Sequence, residues 1–147
     1  MKLNLGCGRD YRAGWENWDI SRLVKADRYI DIRKELFGSK EKFDEIYCSG
    51  VLEQILANED LVHVLNECWH SLKPTGVMTV VVPNAKFSNA FKDPMDVRQF
   101  TEETFVYLCA GFDEYKLYGS VYGFKPWSIQ SIFTNQNGII SAMMQKA

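Results

Sequence analysis

Val77-Met78-Thr79-Val80-Val81-Val82 is β-branched almost throughout and nearly uniformly apolar, which predicts a buried strand at the centre of a sheet. Phe43 to Ser49 has an acidic approach and a mostly apolar body and predicts a second strand. Leu3-Asn4-Leu5 predicts a short one that runs into Gly6-Cys7-Gly8, and Trp15 to Ile20 and Ala26 to Ile32 predict two more. At Asn58 the period changes. Leu61, Leu65, Cys68 or Trp69, and Leu72 recur every three or four residues, which predicts a helix with Asn58 as its cap and Glu59 and Asp60 in its first turn. Lys73-Pro74-Thr75-Gly76 should end it. A shorter helix is expected after Thr101, with Phe105, Leu108 and Cys109 inward and Gly111 as terminator, and a helix at Arg33 to Leu36 capped by Asp31 is one alternative for that carboxylate.

The connections carry as much information as the elements. Only a few residues separate Gly8 from Trp15, whereas a parallel crossover normally needs a dozen or more. Either the crossover helix shrinks to about a turn at Asp10 to Ala13, or the two strands are not ordinary neighbours. Ala85 to Arg98 lacks periodicity and contains Pro94, so it reads as a loop able to fold over a pocket. The last third predicts a strand at Tyr115 to Tyr122, a loop through Pro126-Trp127 and an unassigned stretch at Ile129 to Thr134. A turn at Asn135 to Gly138 and a final strand from Ile139 to Met144 follow. Strands alternating with helical segments make this an α/β chain.

Composition narrows the classes. At 147 residues the chain holds one core, a single domain over 1–147, and 46% hydrophobic with 24% charged residues is the balance of a folded globular protein. A net charge of −2, without a basic run interleaved with aromatics, argues against a nucleic-acid partner. Cys7, Cys48, Cys68 and Cys109 are widely spaced and form neither a metal-ligand pattern nor a disulfide framework; His63 and His70 lack a third ligand, so no metal is expected. No signal-peptide pattern and no bilayer-length apolar run are present, so no membrane and a reducing cytoplasm are the expected setting.

Paired glycines after a strand let the backbone turn sharply and approach a ligand, and Asp19, at the end of the next strand, is placed to accept from two ribose hydroxyls. Two cofactor classes use such a turn. The dinucleotide fingerprint needs a third glycine and an acid about twenty residues farther on; here the third-glycine position is Tyr11 and Asp19 comes too soon. A nicotinamide-dependent oxidoreductase is therefore disfavoured.

The stretch LNLGCG followed by GWENWDI resembles motif I of the class I S-adenosylmethionine-dependent methyltransferases, in the form found in a compact group of predicted methyltransferases that share the short connection. FDEIYCS, VLEQ, the LKPTG turn and DVRQFT are similar to further stretches of that group. The resemblance implies a Rossmann-like, doubly wound, mostly parallel sheet with an antiparallel C-terminal strand. It implies S-adenosylmethionine as cofactor and S-adenosylhomocysteine as product. Gly6, Cys7 and Gly8 would lie under the methionyl portion, with Asn4 toward its ammonium, Asp19 on the ribose, Asp31 and Ile32 at the adenine, and Ser49 and Gly50 lining the pocket.

On the acceptor side the resemblance points to Glu53, Gln54, Asn84, Asp96 and Arg98. The chain departs from the group in four places. Gln54 and Asp96 stand where histidines are frequent, Asn4 where an acid is common and Thr75 where glycine is. If a base is needed, the candidates are Glu53, Asp96 or neither, and each has a bland alternative: Glu53 as a first-turn carboxylate, Asn84 as a turn residue, Arg98 paired with Asp96, Asp31 as a helix cap. Pro83-Asn84 lacks the motifs of amino-methylating and cytosine C5 DNA enzymes, so the expected acceptor is a small molecule, sugar or lipid-like compound. The competing reading is a non-catalytic S-adenosylmethionine-binding or regulatory subunit. The aromatic segment Phe112 to Trp127 is a candidate homodimer contact, with the alternative that its rings fill the core.

Overall fold

The computed structural model describes residues 1–147. Seven strands form one sheet: β1 (Lys2–Leu5), β2 (Glu16–Asp19), β3 (Arg28–Tyr29), β4 (Phe43–Ser49), β5 (Leu72–Pro83), β6 (Trp127–Thr134) and β7 (Ile139–Lys146). Their order across the sheet is β3-β2-β1-β4-β5-β7-β6, with β7 antiparallel to both β5 and β6 and every other pair parallel. The order reverses between β1 and β4, where the chain leaves one half of the sheet for the other. Ligands bind at the carboxyl ends of strands at such a switch.

Alternation along the interior strands selects the buried face. Leu3 and Leu5 of β1, Ile46 and Cys48 of β4, Met78, Val80 and Val82 of β5, and Ile140, Ala142 and Met144 of β7 all enter one hydrophobic cluster of 26 residues. The single α-helix, α1 (Asn58–Ser71), adds Leu61, Val64, Leu65 and Cys68, which fall on one face of its 3.6-residue period. A 3₁₀ helix at Glu102–Leu108 adds Phe105 and Leu108. The helical cover is therefore on one side of the sheet. On the other, Tyr47, Thr79, Val81 and Ser141 remain half-buried and Met143 exposed, and the loop after β1 lies against Tyr47.

That loop settles the short-connection question. β1 and β2 are parallel neighbours, Leu3 opposite Glu16 and Leu5 opposite Trp18, yet residues 8–15 form turns rather than a helical turn. Hydrogen bonds replace the helix. Asn17 is fully buried; its Oδ1 accepts from the Arg12 backbone N–H and from Asn4 Nδ2, and its Nδ2 donates to the carbonyls of Arg12 and Trp15. Asn4 Nδ2 also donates to the Asp10 carbonyl, and Tyr11 donates its hydroxyl proton to Asp27 at 2.8 Å. The Arg12 guanidinium lies 3.8 Å above the Tyr47 ring, so a cation covers part of the open face.

Several elements depart from expectation. β3 has two residues rather than seven, and Arg33 to Leu36 forms a turn closed by Lys34 and Glu35 N–H groups on the Asp31 carbonyl, not a helix. Ala57, not Asn58, caps α1, without a side-chain hydrogen bond. Lys73-Pro74-Thr75-Gly76 does not form a separate turn: β5 starts at Leu72, directly after the helix, and runs through these residues. Proline is tolerated there because the strand's pairing with β4 jumps from Leu72 to Val77. The helix after Thr101 is 3₁₀, and Tyr115–Gly119 is a π-helical turn rather than a strand. The unassigned Ile129 to Thr134 belongs to β6.

Candidate functional site

A cleft of about 390 Å³ opens at the carboxyl ends of β1, β2 and β4, at the switch in strand order. Gly6 and Gly8 floor it and Asp19 closes one side. Asp31 and Ile32 stand beyond β3, and Gly50 lies opposite. The two floor glycines serve different purposes. Gly6 has φ +68° and a Cβ there would meet Val51 Cγ2 at 2.2 Å, so its bare Cα is required by packing. Gly8 has φ +50° with no atom within 4 Å of a Cβ position, so the space it leaves belongs to the cleft.

Asp19 is held by the turn it faces. Its Oδ2 accepts from the Gly8 N–H and its Oδ1 from the Ser21 N–H, both at 2.8 Å. Gly6 and Cys7 N–H groups both donate to the Trp18 carbonyl, which clamps the turn onto β2. Asp31 is gripped by Arg33, whose Nε and Nη2 donate to its two oxygens at 2.9 Å; these hydrogen bonds lower the carboxyl pKa. Asp31 thus lines the cleft as half of an ion pair with Arg33, and not as the cap of a helix.

Other expected cofactor positions sit elsewhere. Asn4 is 2% exposed and its amide is committed to Asp10 and Asn17, so it braces the loop beneath the site. The Cys7 side chain is buried and its Sγ donates to the Lys25 carbonyl at 3.5 Å, away from the cleft; burial raises its pKa. Ser49 ends β4 half-buried, one residue short of the lining, which begins at Gly50.

Of the residues expected on the acceptor side, Gln54 lines the cleft and its Nε2 donates to Asp96 at 3.4 Å, which bridges the 3₁₀ turn Leu52–Gln54 to the loop that follows β5. Met95 of that loop reaches the cleft wall. Burial raises the Asp96 pKa. Arg98 does not pair with Asp96. Its Nε donates to the Ile55 carbonyl and its Nη2 to the Leu56 carbonyl and Asn58 Oδ1, so it ties the loop to the start of α1. Asn84 is buried, donating to Thr134 Oγ1 and accepting from the Lys86 N–H, a joint between β5 and β6 rather than a cleft residue.

Glu53 is the unusual carboxyl. It is 4% exposed, its Oε2 has no hydrogen-bond partner, and its Oε1 lies 3.8 Å from where a Gly50 Cβ would be. Burial first, and then Asp96 and Asp93 nearby, push its pKa up to about 7. Trp18, Ile20, Ile30, Arg33, Val51 and Ile55 complete the lining without having been singled out in the sequence. The sequence signal for the first five is adjacency, since each stands within a residue or two of a strand end that was identified, whereas Ile55 lies six residues past the end of β4.

The residues suit a nucleoside-bearing ligand. An open position above Gly8, a carboxylate fixed at the strand end and an aliphatic wall at Ile30 and Ile32 make a cradle with one acidic edge and one apolar end.

No protein-family model and no curated protein matches the chain. Solved structures do. The chain is similar to a SAM-dependent methyltransferase from Archaeoglobus fulgidus, with TM-score 0.66, 18% identity, and coverage of 99% of this chain and 85% of that one. An S-adenosylmethionine-dependent methyltransferase from Clostridium acetobutylicum ATCC 824 aligns with TM-score 0.65 at 14% identity over 99% and 83%. A 1,6-didemethyltoxoflavin-N1-methyltransferase from Burkholderia thailandensis, solved with bound 1,6-didemethyltoxoflavin and S-adenosylhomocysteine, aligns with TM-score 0.65 at 14% identity over 99% of this chain and 70% of that one. The chain has the class I methyltransferase fold, a mostly parallel sheet with antiparallel C-terminal strands.

Proposed function

We propose that the chain binds S-adenosylmethionine in the glycine-floored cleft and transfers its methyl group to a small-molecule acceptor. The observation that carries this reading is the coincidence, in a sheet of methyltransferase order, of a vacant Cβ position at Gly8 with a carboxylate fixed at the end of the adjacent strand. The Asp19 carboxylate accepts from the ribose hydroxyls, Ile30 and Ile32 pack against the adenine, and the floor at Gly6 and Gly8 carries the methionyl portion. The cofactor supplies an electrophilic methyl group on a sulfonium.

In-line displacement gains most from alignment and exclusion of water. Met95 and the Gln54–Asp96 bridge do this work by narrowing the mouth of the cleft. A base is needed only where the acceptor holds its proton at neutral pH, and Glu53 is the group tuned for it: a carboxyl with pKa about 7 is half-ionised in the physiological range.

One observation favours the second reading, a non-catalytic subunit that binds the same cofactor. Glu53 is behind the cleft wall, and the carboxylates that do line the cleft, Asp19 and Asp31, are held by backbone N–H groups and Arg33. Calorimetry separates the possibilities. S-adenosylmethionine and S-adenosylhomocysteine should bind at about micromolar levels while NAD does not, and absence of binding by either sulfur compound refutes both readings. Turnover of S-adenosylmethionine with a panel of small acceptors then decides between enzyme and binding subunit.

A further inference from the structure

A second cavity, of about 650 Å³, lies between α1 and the 3₁₀ helix Glu102–Leu108, outside the glycine-floored cleft. Its floor is core: Leu61, Leu65, Phe100 and Leu108 are each under a tenth exposed. Its rim is aromatic, with Tyr107 37% and Tyr122 57% exposed, an unusual amount of ring surface to leave facing water at the mouth of an apolar hollow. The far wall is fixed. Asn66 Nδ2 donates to the Gly123 carbonyl at 2.8 Å and Asn66 Oδ1 accepts from the Lys125 N–H at 2.9 Å, which pins residues 123–125 over α1.

One cation faces this space. Arg98 lines the cavity and forms no ion pair, and all its protein acceptors are neutral: two carbonyls and the Asn58 side-chain oxygen. Its Nη1 donates to nothing in the protein, and burial lowers its pKa with no opposing contribution from a carboxylate. The only carboxylate on the lining is Glu59, which is exposed and makes no contact with Arg98. An apolar hollow with a single uncompensated guanidinium matches an amphiphile with a single negative charge. Two charges would leave one unpaired, and a neutral ligand would leave the cation as it is.

We propose that this cavity binds an aliphatic monocarboxylate, with its chain among Leu61, Leu65, Leu108 and Phe124 and its carboxylate on Arg98 Nη1. The site is independent of what occupies the glycine-floored cleft. The two share no lining residue: Ile55 lines the cleft, and Arg98, bonded to the carbonyls of Ile55 and Leu56, lines the cavity.

Calorimetry of the full chain with octanoate, octan-1-ol and octyltrimethylammonium tests it, since changing the ligand's charge leaves the Arg98 tether intact. Octanoate should saturate one site below about 1 mM, octan-1-ol should bind about tenfold more weakly, and the cation should not bind. Val62→Trp, on the half-exposed rim of α1, should abolish octanoate binding, with its unfolding midpoint confirming that it folds. Arg98→Gln should erase the preference for octanoate over octan-1-ol. The proposal is overturned by absence of saturable octanoate binding, by equal affinity for the alcohol, or by octanoate binding that survives Val62→Trp.

Discussion

Replacing Asp19 with alanine separates bracing from binding. The carboxylate accepts two backbone N–H bonds at 2.8 Å, from Gly8 and Ser21, and both donors lose their partner in the variant. The site is half-buried, so water re-solvates them in part, and the expected loss is about 1–3 kcal/mol of stability. For a chain of this size each kcal/mol lowers the thermal midpoint by about 2–4 °C. Two ribose hydroxyls that lose a charged acceptor cost a further ~1.5–3 kcal/mol of binding, a weakening of about ten- to 150-fold for S-adenosylhomocysteine. Thermal unfolding without ligand reads the first quantity, and calorimetry well below the midpoint reads the second. If the midpoint falls while affinity stays within about twofold of the parent, the carboxylate only braces the turn and the ribose assignment is wrong.

Glu53 makes stability depend on pH. Its folded pKa of about 7 lies above its ordinary 4.5, so the folded state holds more protons than the unfolded state between those values. Stability should be highest below pH 4.5 as far as this group is concerned, fall by about 2–3 kcal/mol as pH rises to 7, and level off above; Glu53→Gln should flatten that slope in urea titrations, and an unchanged slope would show that the carboxyl ionises freely. The floor glycines should fail differently. Gly6→Ala, with its Cβ 2.2 Å from Val51 Cγ2, should destabilise the fold by about 2–4 kcal/mol, whereas Gly8→Val, with open space ahead of it, should abolish cofactor binding at a folding cost of about 1–2 kcal/mol. Equal loss of stability in the two would remove the distinction between packing glycine and ligand glycine. Gly119→Ala would set a Cβ 1.8 Å from the Tyr107 carbonyl oxygen, so the π-helical turn should unwind and the urea midpoint drop by the equivalent of about 3 kcal/mol; a neutral result would show that this turn is free to move.

The strands that meet the cleft were legible because local chemistry and tertiary role coincide in them. Phe43–Ser49 has the predicted bounds, and the β-branched body of β5 and the acidic end of β2 lie where their patterns put them. Where the residues have more than one stable partner, the sequence misled. Asn58 has the chemistry of a cap, but its side-chain oxygen goes to Arg98, 40 residues away in the chain, a choice no local pattern encodes. Asn4 stands at a cofactor position of the motif, yet the missing crossover helix leaves a buried Asn17 whose needs Asn4 helps to meet. Tyr115 to Tyr122 alternates well enough for a strand, but Gly119 allows the backbone to press against Tyr107, and the segment coils into a π turn.

By itself the sequence determined the glycine turn, the acid that follows it, and the succession of central strands and helix as far as β5, because each rests on neighbours within about a dozen residues. Only the tertiary structure decided which glycine serves packing and which the cleft, that the helical cover lies on one face of the sheet, that Glu53 is buried with an orphaned oxygen, and that Arg98 faces an apolar cavity without a counter-ion. Each of these depends on desolvation and on contacts between residues distant in sequence. Burial and long-range pairing set the energies of charged groups, and neither is written in the local pattern.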